Sequence, residues 1–201
     1  PIYLRLISVL LIAIAVLVVS VVLYSVYWFV VAANLKGGIK SWAAEQMVAG
    51  IRLHYEGVKI SGYPFVFRTI LTKPELSLSI IPASSDRNEW RWQPPQIIAE
   101  MRPWNLSSMK LDVSGSNDVE FKRGKVRDVY RAATRQFIIS VIIGDDGLPS
   151  ISSLTVGDLE VRDKRGNDLF SARHIHFRAE RLFPPELANE KPTFDFNADV
   201  Q

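Results

Sequence analysis

The sequence predicts a membrane-anchored, mainly β protein. Its parts are one transmembrane helix, a short helix after it, and a long curled antiparallel sheet with an apolar concave face. Three observations carry this prediction. Leu6 to Leu35 contains no charged residue. Beyond Gly50 the apolar spacing changes from a helical period to a period of two. At Gly62–Pro64 and again at Gly157–Asp158 that period changes phase, as side-chain alternation does when one residue is inserted. The same alternation also fits a closed β-sandwich, in which the apolar face is filled by its own side chains.

The uncharged run exceeds the ~20 helical residues that cross ~30 Å of hydrocarbon. It is also about twice the ~7–15 residues of a signal-peptide core, so an uncleaved signal anchor is expected. Tyr24, Tyr27 and Trp28 stand toward its far end, where an aromatic belt meets the lipid–water boundary. Arg5 precedes the run and Lys36 and Lys40 follow it, so the visible charges do not favour a cytoplasmic N-terminus. That orientation is nevertheless expected, because a single anchor before a long strand-rich segment suits an exported domain. The expected division is a tail and anchor over 1–36, a juxtamembrane helix over 37–50 and a curled β domain over 51–201. Gly37-Gly38 separates the first two, and Ile39, Trp42, Ala43, Gln46 and Met47 recur at helical spacing.

The strands read as one-sided. Leu76, Leu78 and Ile80 alternate with Ser77 and Ser79, and Met109, Leu111 and Val113 alternate with Lys110 and Asp112. Ile175, Phe177 and Ala179 alternate with His174, His176 and Arg178. Trp90 and Trp92 share a face. Phe137 to Ile143 is apolar at nearly every position and is expected to be the most buried strand. Lys125 to Thr134 is expected to form a second short helix. Bulges or sharp bends at the two phase changes would strengthen twist and curl, with Phe65 and Phe67 on the buried face beside Leu71. No strand–helix–strand alternation suggests a parallel sheet. Phe194–Val200 alternates cleanly and carries no edge protection after Thr193. It is expected to pair on one side only, with further strands following residue 201 in the full-length protein; part of the N-terminal tail is expected to precede Pro1.

Some chemistries are disfavoured. The chain has no cysteine, which removes disulfides and thiolate metal sites. A net charge of +3 is too small to indicate a nucleic-acid binder, and no nucleic-acid partner is expected. Lys122, Arg123, Lys125 and Arg127 lead a basic run that suits a solvated face or anionic headgroups. His174 and His176 share a strand face but lack a third ligand at metal-site spacing. No nucleophile motif or glycine-rich phosphate loop occurs. A non-enzyme without cofactor or metal is therefore expected.

Four motifs in order carry a resemblance: the helix with Trp42, "SGYPFVFRTILTKPEL" from Ser61, "WRWQPP" from Trp90 and "RPWN" from Arg102. They resemble a bacterial, mainly alphaproteobacterial, family of single-pass envelope proteins whose domain has no known function; Tyr63 stands where phenylalanine is more usual. "LTVGDLEVRDKRGNDLFSARHIHFRAE" from Leu154 is similar to the strand–turn–strand unit of AsmA-like proteins. This resemblance implies an inner-membrane anchor, a curled periplasmic sheet and a part in moving or balancing phospholipids. It supplies no catalytic residues. The expected function is to bind or shield acyl chains, with membrane phospholipid as partner. The groove residues would be Phe65, Phe67, Leu71, Leu76, Leu78, Ile80, Leu111, Ile175, Phe177, Phe194 and Phe196. The alternative is a non-catalytic envelope scaffold that recruits a protein through a sheet edge or the basic surface.

Overall fold

The computed structural model describes residues 2–48, 50–80, 88–145, 149–181 and 194–200. Among the described residues a single helix, α1 (Ile2–Val48), is followed by thirteen strands in one sheet. The expected break at Gly37-Gly38 is absent, and the anchor and juxtamembrane helices are one element. Glycine inside a helix costs only ~1 kcal/mol, and helix formers stand on both sides of this pair, Leu35 and Lys36 before it and Lys40 and Ala43 after it. The chain leaves the helix through Gly50, which has φ +83° and donates its N–H to the Met47 carbonyl at 3.1 Å.

The strands are β1 (Ile51–His54), β2 (Gly57–Ser61), β3 (Phe67–Thr72), β4 (Glu75–Ile80), β5 (Asn88–Gln93), β6 (Gln96–Arg102) and β7 (Asn105–Asp112). There follow β8 (Gly115–Arg123), β9 (Val126–Thr134), β10 (Gln136–Ile143), β11 (Pro149–Asp163), β12 (Asp168–Arg181) and β13 (Phe194–Val200). Every pairing is antiparallel. One half of the sheet has the order β1-β4-β5-β8-β9 and the other β2-β3-β6-β7-β10; both halves join β11, which then pairs with β12 and β12 with β13.

That order has a simple origin. β1 and β2, β3 and β4, β5 and β6, β7 and β8, and β9 and β10 are each one long strand broken by a short kink. The kinks fall at 55–56, 73–74, 94–95, 113–114 and 135. β11 runs through the same line, where Asp158 adopts φ +49°, and Lys73 in the second kink adopts φ +46°. The breaks therefore align into a crease across the sheet. Hydrogen bonds cross it from Glu56 N to Thr72 O (3.0 Å), Val113 N to Phe137 O (2.9 Å) and Arg135 N to Gly157 O (3.1 Å). The result is a strongly curled half-barrel.

The crease explains one phase change. Directly opposed residues of an antiparallel pair project to the same face. Leu71, Ile97 and Phe137 stand on one side of the crease, and Leu76, Trp92 and Ala132 on the other. In four of the five broken strands the parity switches at the kink; β7–β8 keeps odd-numbered residues on the apolar side, from Leu111 to Val119, and that side stays continuous. Gly157–Asp158 is the copy of this switch in β11. The β11–β12 register is undisturbed there (Gly157↔His174, Leu159↔Ala172), while the neighbour on the other edge changes from β10 to β9.

The other phase change has a different cause. Gly62–Pro64 is not a bulge within one strand but the reversal between β2 and β3. Val58 pairs with Leu71 and Ile60 with Thr69, so even-numbered apolar positions face odd-numbered ones after the turn. Gly62 has φ +98°, and a Cβ there would lie 2.4 Å from Val66 Cγ1 and 2.5 Å from Val66 O. Only glycine fits this turn.

Two further expectations fail. Lys125–Thr134 is not a helix: β9 pairs along its length with β8 and over Tyr130–Ala133 with β11. Its basic residues obscured a period-two pattern in which Val119 faces Tyr130 and Asn117 faces Ala132. β10 is not deeply buried; its residues are half-buried and Ile142 is exposed. Both faces of the sheet there lack a covering layer among the described residues.

Candidate functional site

The helix seals one edge of the sheet. Trp28, Ala32 and Phe67 are buried together, with Val31, Leu35 and Ile60 packed around them. The Trp28 and Phe67 rings stack at 5.0 Å, and Tyr63 meets Trp28 edge-on at 5.5 Å. Tyr24 donates its hydroxyl hydrogen to the Pro64 carbonyl, and Tyr27 donates to the Pro103 carbonyl at 2.8 Å. The Ser25 and Tyr63 hydroxyls are 2.8 Å apart. Thus the residues expected to form an interface belt hold the helix against the β2–β3 and β6–β7 turns, and Trp28 is enclosed by protein.

From that edge an apolar face runs across the sheet by register. Phe67 faces Met101, Met101 faces Met109, Met109 faces Val141, and Thr69, Ala99, Leu111, Ile139, Leu154, Phe177 and Ala198 form a parallel row. Beyond the crease, Ile51, Leu78, Trp90 and Phe121 line up, as do Leu53, Leu76, Trp92, Val119 and Tyr130. Along the crease, Val113, Asn117, Thr134 and Val156 are buried although no second sheet or helix packs over them among the described residues. Only inward curvature of neighbouring strands supplies that cover, so the apolar face is the concave one. Phe67, Thr69 and Leu71 on this face are also buried, Phe121 is exposed, and most of its other described residues are half-buried: it is walled but not filled.

The opposite face carries the ion pairs, beside Ile70, Ile98 and Ile138. Arg68 pairs with Glu100 at 2.6 Å, Arg91 with Glu75 at 3.2 Å and Arg131 with Asp118 at 2.8 Å. Such exposed pairs stabilise little, but they mark the wet side. At the β11–β12 turn, hydrogen bonds from Asn167, then Arg165, hold the Asp163 carboxyl below the ordinary aspartate range.

Asn117 braces the crease. Its Oδ1 accepts from Trp92 Nε1 at 3.0 Å, and its Nδ2 donates to the carbonyls of Val113 (3.0 Å) and Gly115 (3.2 Å). Beside it, Ser114 Oγ donates to Asp112 Oδ1 at 2.6 Å and accepts from the Phe137 N–H at 2.8 Å.

The structure distributes the expected groove residues unevenly. Leu76, Leu78, Leu111, Ile175 and Phe177 lie half-buried on the apolar face. Phe67 and Leu71 lie on it but are buried, Phe67 against the helix. Phe65 does not share that face: it sits in the β2–β3 turn and is 70% exposed. β13 pairs with β12 alone, as expected, and Val200 is exposed. Ile80, Phe194 and Phe196 occupy strand positions, but their side chains lie outside the described set. Sequence reading did not select Met101, Ile139, Val141 or Leu154 for the groove. Their alternation was present, but which face it served depends on cross-strand register.

The basic residues gather at the β8–β9 tip, the end of the long strands away from the Tyr24 contact. Arg127 pairs with Glu120 at 2.6 Å. Lys122 and Arg123 border a hollow whose apolar lining includes Leu78, Trp90 and Phe121. His174 is exposed, and His176 Nδ1 lies 3.2 Å from Thr155 Oγ1. No group of three potential metal ligands occurs among the described residues.

No curated protein and no solved structure matches this chain. Residues 28–201 match the family described as an uncharacterized protein conserved in bacteria (DUF2125). The match begins at Trp28, the helix residue stacked on Phe67, and takes in the whole curled sheet. The chain belongs to that bacterial family.

Proposed function

We propose that α1 anchors the protein in the bacterial inner membrane and that the half-barrel, in the periplasm, shields lipid acyl chains on its concave face. One observation carries this: a continuous apolar face is curled and walled, yet among the described residues it is covered by α1 at one edge only. Burial of acyl carbons there contributes ~0.8 kcal/mol per CH₂. The helix is long and apolar enough to cross a membrane. The hollow at the β8–β9 tip adds an apolar floor lined also by Lys122, Arg123 and Glu89, a net cationic setting that suits an anionic amphiphile. The similarity of the segment from Leu154 to AsmA-like units points the same way and suggests a part in envelope lipid transport or homeostasis, without catalysis.

Purification from membranes in mild detergent, followed by mass spectrometry of bound lipid, tests this reading. Phospholipid is expected in stoichiometric amount with the parent chain. Leu111→Lys, which places a charge midway along the face, is expected to lower it several-fold. Equal lipid recovery from both proteins would overturn the groove assignment.

A further inference from the structure

The end of the sheet beside the helix carries large apolar side chains that stay exposed, Tyr63 among them although its ring also meets Trp28. Phe65 in the β2–β3 turn is 70% exposed and Trp104 in the β6–β7 turn is 63% exposed. Tyr63 and Leu106, in or next to these turns, are 44% and 43% exposed. Exposed aromatics clustered on adjoining turns mark a contact surface rather than ordinary surface scatter. Both turns are tied to one level of α1, through Tyr24 to Pro64 and Tyr27 to Pro103.

That level coincides with a boundary counted independently along the helix. At ~1.5 Å per residue, ~20 residues cover the ~30 Å hydrocarbon core. Counted from Leu6, just after Arg5, this length ends at about Ser25. Ser25 is the residue beside the Tyr63 hydroxyl. The uncharged run continues to Leu35, and this excess is where protein takes over: Trp28 and Ala32 are buried, and Val31 and Leu35 partly so, against the sheet. A helix with ~20 residues bare and the next ten sheltered along one face, at Trp28, Val31, Ala32 and Leu35, has one natural depth.

We infer that Tyr63, Phe65, Trp104 and Leu106 form a rim that enters the interfacial layer of the same membrane that α1 crosses, standing the half-barrel upright on the bilayer with one end of its concave face at the lipid surface. Aromatic rings favour that layer, with the ring body in the acyl boundary and polar tips among headgroups. Arg102, exposed next to Pro103, suits the phosphate level. Asp145, on the β10–β11 turn at the same end, bounds the rim on its far side. The inference rests on the anchoring role proposed for α1.

Because the chain has no cysteine, single-cysteine spin labels report depth without background. The full chain is reconstituted in vesicles of phosphatidylethanolamine and phosphatidylglycerol with a label at Phe65→Cys, Trp104→Cys or Leu106→Cys. Ile14→Cys marks the bare helix and Val126→Cys the distant β8–β9 tip. Collision with oxygen is compared with collision with a water-soluble nickel chelate. At Ile14 oxygen is expected to dominate strongly, and at Val126 the nickel reagent. Positions 65, 104 and 106 are expected between them, with nickel access several-fold below that of Val126. Nickel access equal to Val126 at all three rim positions, with Ile14 still in lipid, would overturn the rim and leave the anchor standing. Aqueous exposure of Ile14 would overturn the anchor and the rim together.

Discussion

Replacing Phe67 with alanine is expected to destabilise the domain by about 3–5 kcal/mol and to free the helix from the sheet. Phe67 is fully buried and stacks on Trp28 at 5.0 Å. The few buried apolar side chains in contact with α1 centre on it. Truncation leaves a ring-sized cavity at the one place where helix and sheet share a core. Denaturant unfolding in detergent micelles gives the loss. Limited proteolysis between helix and sheet is expected to accelerate in parallel. Phe65→Ala, next to Pro64 yet in solvent, is expected to stay within about 0.5 kcal/mol of the parent. Equal effects of the two substitutions would show that the Trp28–Phe67 contact does not hold the elements together.

Replacing Asn117 with alanine is expected to cost about 3 kcal/mol, because each buried polar group left unpaired costs roughly 1–3 kcal/mol. The substitution strands the Trp92 N–H and removes a donor from the Val113 and Gly115 carbonyls at the crease. Trp92→Phe removes only one of those bonds and keeps most of the ring, so about 1 kcal/mol is expected. Amide exchange at Val113 and Phe137, on the two sides of the Val113 N–Phe137 O bond, is expected to rise in Asn117→Ala. A crease that exchanges at the parent rate would assign the curvature to the kinked backbone alone.

Much of this architecture was legible in the sequence. The uncharged run from Leu6 gives the helix, and the alternation around Leu78, Leu111 and Phe177 gives one-sided strands. The phase changes gave curl, correctly at Asp158 and for the wrong reason at Gly62. A hairpin and a bulge both shift parity, and a sequence alone does not say whether the chain reverses. Gly37-Gly38 suggested a break because glycine is a weak helix former, but its cost is small against the flanking helical turns. β9 was hidden by its arginines, whose partners Glu120 and Asp118 lie on the next strand. The groove was named in fragments for the same reason. Val141 meets Met109, and Leu154 meets Phe177, only once register is known. The exposure of Phe65 was missed because its ring was assigned to the buried face with Phe67, and Trp104 was read only as part of a motif.

The central claim, that the concave face holds acyl chains, is tested most directly by photocrosslinking from neighbouring residues of one strand. Val141 projects to the apolar face opposite Met109, and Ser140 to the other face opposite Lys110. A benzophenone attached to Val141→Cys in native membranes is expected to capture phospholipid through its acyl chain, seen as a lipid adduct by mass spectrometry. The same probe on Ser140→Cys is expected to capture none. Equal capture at both positions, or no adduct at Val141 while a probe at Ile14→Cys in the helix captures lipid, would contradict the account.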